Sequence, residues 1–169
     1  MTTHAFIART AILLSLATAS LLPTGAKAAS LDVSASAPRA VEERTSVAVE
    51  RYYTQAWKSL VSALQTNRAE LLEADFTGAA REHWQKAIVG QRENGLSRRI
   101  VDRGHSLHIT FYSPDGSAMQ GIDTADLEIQ YLDGSNVLGA EHVTARYLVL
   151  LTPAEDSWKV RGMEELPAR

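Results

Sequence analysis

Asp123 and His105 are the side chains with the strongest claim to chemistry. Asp123 shares parity with Ala125, Leu127, Ile129 and Tyr131. In an extended strand these residues fall on one face. A carboxylate among such neighbours is desolvated, its pKa rises, and it suits acid–base work. Gly121 argues the other way, because as a strand breaker it leaves Asp123 in a solvated turn beside Thr124. The local sequence favours that second reading. His105 has the parity of Leu107, Ile109 and Phe111, so it either borders the same face or is an ordinary hydrogen-bonded residue at a strand end.

Other chemistries find less support. The chain has 5 histidines and no cysteine. His105 and His108 are three apart, which puts them on opposite faces of a strand. His4, His83 and His142 have no ligand-spaced partner on a shared face. No His-Glu-x-x-His pattern occurs, so neither a metal nor a cofactor is expected. There is no Gly-x-Ser-x-Gly elbow and no glycine loop for phosphate, which argues against nucleophilic hydrolysis and nucleotide use. Arg92, Arg98, Arg99 and Arg103 lie close together in sequence. They read either as a receiver for an anion or as a solvated charge run offset by Glu93 and Asp102.

The elements that must hold these residues follow from periodicity. Val49, Tyr53, Ala56, Trp57, Leu60 and Leu64 recur at helical spacing and predict a long amphipathic helix. Asn67 with Glu70 resembles a capping box and predicts a short second helix through Leu72. Phe76, Ala80, Trp84, Ala87 and Ile88 predict a third helix that stops at Asn94-Gly95. After Val101 the period changes to two. Ser113-Pro114-Asp115-Gly116, Asp133-Gly134 and the segment 153–156 supply turns between antiparallel strands. The run Leu148-Val149-Leu150-Leu151 is apolar on both faces and predicts a central strand.

Composition sets the outer limits. Of 169 residues, 45% are hydrophobic and 22% charged, which excludes a disordered tail and fits one globular domain. Residues 1–28 read as an export signal: an apolar run over 11–22, a break at Pro23 and Gly25, and Ala26-Lys27-Ala28 before the cut; the alternative is an anchor that stays uncleaved. Cleavage takes away Arg9 and Lys27 and no acid, leaving 15 basic against 20 acidic side chains, a net of −5. That balance excludes nucleic acid and anionic lipid as main partners. The expected location is periplasmic or secreted, with no membrane insertion after cleavage. Residues 29–40 read as a flexible tail and 41–169 as the domain.

Helices followed by an antiparallel sheet that closes on Trp158-Lys159-Val160 give this chain its resemblance. With Tyr53 to Leu64 in the first helix and the Leu72-to-Gly78 junction, it resembles the NTF2-like superfamily over residues 41–166. The superfamily spans ketosteroid isomerases, SnoaL-like cyclases and dehydratases, and VirB8-type periplasmic accessory domains. The resemblance implies an α+β cone: three N-terminal helices packed on a curved antiparallel sheet of about four strands. It implies a cone lined by Tyr53, Trp57, Asp123, Tyr131 and Tyr147. The function expected is a non-catalytic binding domain taking a small apolar molecule in the cone or a protein on its surface, a homodimer included. The alternatives are an isomerase, cyclase or dehydratase with Asp123 and His105 as catalytic candidates, or an accessory subunit of a cell-envelope assembly.

Overall fold

The computed structural model describes residues 28–167. The expected export signal therefore lies outside the described residues, apart from Ala28. Helix α1 (Glu43–Thr66) buries Val49, Tyr53, Ala56, Trp57, Leu60 and Leu64, the stripe that the spacing predicts, together with Ala63. It ends because Asn67 takes a left-handed conformation (φ 56°) and returns its amide to the Ala63 carbonyl. Asparagine is the residue after glycine that tolerates this best. Asn67 thus closes a helix rather than opening one. The following turn, Ala69–Leu72, is a single 3₁₀ turn with no side-chain cap. Helix α2 (Gly78–Glu93) buries Ala80, Trp84 and Ile88, and Gly95 follows at φ 71°.

The sheet corrects the expected architecture. Among the described residues there are two α-helices, not three, and the sheet has six strands of mixed direction instead of about four antiparallel ones. Strands β3 (Leu96–Tyr112), β4 (Met119–Asp133), β5 (Asn136–Pro153) and β6 (Trp158–Glu165) form the antiparallel meander. Segment 29–40 is no simple tail: β1 (Ala29–Asp32) and β2 (Ala37–Pro38) both pair with β3 in parallel. Strands this short, on an edge, leave almost no period in the sequence. Both helices pack on β3 and β6. The bulges in β3 between Asp102/Gly104 and Ile109/Phe111 add bend and twist to the sheet.

Gly121 does not break β4. It pairs with Ile109 on one side and Val149 on the other. A Cβ there would sit 2.5 Å from the His108 carbonyl oxygen, so only glycine lets β3 come this close beside its bulge. The strand continues, and Asp123 stays in register. The two segments that carried the resemblance meet: Thr77 donates to the Val160 carbonyl at 2.9 Å, and Val160 donates to the Asp75 carbonyl at 2.9 Å. This clamps the α1–α2 junction onto the last strand.

Candidate functional site

β4 turns its odd-numbered residues toward the helices, and Asp123 sits among them with no exposed surface, between Leu107 of β3 and Tyr147 of β5. The solvated-turn reading is therefore wrong, for the reason given at Gly121. One oxygen, Oδ2, accepts three hydrogen bonds: from the Tyr53 hydroxyl at 2.7 Å, Trp57 Nε1 at 3.2 Å and His105 Nδ1 at 3.0 Å. Tyr53 and Trp57 are four apart on α1 and so share a helix face. Oδ1 is buried and has no protein partner among the described residues.

A second carboxylate completes the cluster. Asp102 Oδ2 lies 3.1 Å from His105 Nε2, with both side chains buried. Asp102 and His105 are three apart, and regular alternation would put them on opposite faces. The bulge between Asp102 and Gly104 inserts Arg103 and brings both to the same side. Asp102 Oδ1 accepts the Gly104 amide at 2.9 Å and so fixes that bulge. The His105 ring rests on Trp57, with centroids 4.1 Å apart, and Tyr147 meets Trp57 edge-on at 5.8 Å. Asp102 is the member that parity counting misses; the only sequence signal is the Asp-Arg-Gly step, which marks an irregular strand.

The charges follow from this geometry. Burial pulls the His105 imidazole down, but hydrogen bonds and charges from Asp102 and Asp123 outweigh it and raise its pKa to about 9. Burial and then the Asp123 charge hold the Tyr53 phenol well above its ordinary range, so it remains a neutral donor. Burial, with Glu165 and Asp123, pushes Tyr147 up to about 12. At neutral pH His105 is an imidazolium, held between Asp102 and Asp123. An unfolded imidazole titrates near 6.5 and the folded one near 9, so the stabilisation is complete below 6.5 and is lost as pH rises through 9. The loss is about 3 kcal/mol. Urea unfolding at about pH 6 and about pH 10 measures it, and His105→Gln should flatten the difference. Equal stability at both pH values in the wild type would mean that the ion pair does not form.

The remaining candidates are scattered. Tyr131 is 37% exposed and donates to Glu141 at 2.5 Å. Arg98 and Arg99 are successive strand residues on opposite faces. Arg98 bonds Gln91 at 2.9 Å and Arg103 pairs with Glu128 at 2.6 Å. His108 pairs with Asp32 and His142 with Asp126, each at the surface. Among the described residues no group of three or more histidine or acidic side chains could hold a metal ion.

Clefts on the described surface include one beside α1 at Val47, Arg51 and Lys58, one between Tyr52 and Trp158, and one along α2 at Glu82 and Val89. None of the three is lined by Asp123, His105 or Trp57.

No family model matches this chain, and no curated protein matches it. Its structure is similar to the intermembrane space region of the chloroplast protein ARC6, at 19% identity and a TM-score of 0.64, over 78% of this chain and 100% of that one. It is also similar to Aln2 from a Streptomyces species, at 14% identity and a TM-score of 0.47, over 75% of this chain and 93% of that one. The chain has a cone-like α+β fold related to that of the ARC6 region. At these identities the likeness is one of fold alone.

Proposed function

We propose that this chain is an exported, non-catalytic binding domain of the NTF2-like kind, and that it engages a protein through its surface, not a small molecule in its cone. The observation that carries this reading is the filled interior. Trp57, Tyr53, His105 and Tyr147 occupy the space between α1 and the sheet, and they bond or stack on one another. A ligand cavity would need polar groups that face an opening. Here the polar atoms other than Asp123 Oδ1 face each other. Export is supported by the apolar run at 11–22 and the small residues Ala26 and Ala28, and the location is periplasmic or secreted.

One observation favours an acid–base enzyme instead: Asp123 Oδ1 lacks a partner beside a tyrosine and a histidine. That chemistry needs a substrate to reach Oδ1, and Asp123 has no exposed surface. Titration with an uncharged naphthylamine dye, followed by tryptophan quenching, separates the two readings. The surface reading expects no saturable uptake. Saturable binding that an apolar ketone competes away would overturn it.

A further inference from the structure

β6 covers only part of its neighbour. It pairs with β5 from Tyr147 to Pro153, and the Leu166 amide takes the Arg146 carbonyl at 2.7 Å. Below Arg146, β5 pairs with β4 on one side and meets no other strand among the described residues. Natural edges are usually blunted by charged side chains, lysine above all, by proline or by a bulge. Glu141 is the one formal charge from 139 to 145, and Tyr131 of the neighbouring strand holds it. Residues 139–145 contain neither lysine nor proline, and the one irregularity, at Leu138 opposite Tyr131/Leu132, lies just outside them. We propose that this edge pairs antiparallel with the same edge of a second copy, centred on His142. The inference rests on the surface reading above and names its partner.

The register follows from which groups face outward. Backbone groups alternate between the two sides of a strand. The Arg146 carbonyl points to the β6 side, so those of Thr144, His142 and Ala140 point to the free side as well. A two-fold axis perpendicular to the sheet keeps like faces together. With the axis at His142, the two His142 residues exchange both backbone hydrogen bonds, and Ala140 exchanges both with Thr144 of the second copy. Every outward group in the stretch is then satisfied. On the other face, Gly139 opposes Ala145 and Glu141 opposes Val143.

The neighbouring registers fail. An axis at Glu141 sets two carboxylates directly opposite each other, at the closer Cα spacing of a non-hydrogen-bonded pair. An axis at Val143 sets Ala140 against Arg146, whose carbonyl is already taken by Leu166. The side chains also suit the chosen axis. Asp126 holds the His142 imidazole over its own sheet, and Tyr131 holds the Glu141 carboxylate. A second copy fits better than a foreign peptide because one stretch, bounded by Leu138 and Arg146, matches its own reverse end to end.

A strand pair this short falls below the ~1,200 Å² of a standard interface, so the dimer forms in a concentration-dependent way. Sedimentation equilibrium of the exported chain should show an average mass rising toward twice the monomer. Ala140→Pro removes an outward amide and leaves the ladder to β4 intact; it should weaken association about tenfold or more. His142→Cys places the only two thiols across the axis within disulfide reach, and oxidation should yield a covalent dimer, whereas Gly95→Cys should not. Dimers that ignore Ala140→Pro, or cross-link equally at both sites, would overturn the register. A chain that stays monomeric at high concentration overturns self-pairing and leaves the edge to an extended segment of another protein. Dye uptake in the cone overturns the surface reading whatever the mass, so the two failures are distinct.

Discussion

Asp123→Asn should lower the unfolding free energy by about 3–5 kcal/mol, although it preserves volume and removes a buried charge. Burial alone would give the opposite sign, since an amide avoids the cost of desolvating a carboxylate. The partners reverse it. Oδ2 accepts from Tyr53, Trp57 and His105 together, and its charge faces an imidazolium. In the variant, the amide NH2 cannot accept, and its carbonyl carries no charge to set against His105. One member of a buried pair is then left short of its partner, which is the costly case. The check is a shift of the urea midpoint with the slope unchanged. A variant as stable as wild type would mean that the carboxylate is not bonded in this way.

The same residue shows where the sequence could be read and where it could not. Its parity with Leu127 and Ile129 is visible in the alternation, and its burial follows from that parity. Gly121 hid this, because a glycine read as a strand breaker and a glycine needed for close backbone approach look alike until the neighbouring strand is in place. The α1 stripe from Val49 to Leu64 is legible, since seven buried positions on one face leave a period that no single residue can erase. Asn67 is not, because asparagine serves at both ends of helices and only its left-handed φ decides. Asp102 was hidden by a bulge, which shifts parity by one. Pairings that depend on distant segments, such as β1 with β3, have no local signature at all.

Trp57→Ala should cost about 5 kcal/mol, the upper end for removing an aromatic side chain from a core. Trp57 is 2% exposed, carries the His105 ring on its face, meets Tyr147 edge-on and donates to Asp123. Truncation leaves a void, strips one donor from the carboxylate and opens the imidazolium's apolar side. Trp57→Phe keeps most of the packing and loses only the donor, so it should cost about 1–2 kcal/mol. The double variant of Trp57→Ala with Asp123→Asn should fall short of the summed single losses, because the two side chains touch. Urea denaturation of the four proteins completes the cycle. Strict additivity would show that indole and carboxylate act independently, contrary to the 3.2 Å contact.

Ala29 is buried, its amide is bonded to the Thr54 hydroxyl at 3.1 Å, and β1 beyond it is laced to β3 from His105 to His108. A peptidase reads its substrate as an extended, accessible chain, so the Ala28–Ala29 bond is poorly presented once β1 has docked. Any enzyme that cuts there must act on the chain before the sheet claims its first strand. Maturation and folding would then be a race with a fixed winner. A chain whose first strand docked first would keep that bond shielded by the same backbone bonds that close the edge of β3.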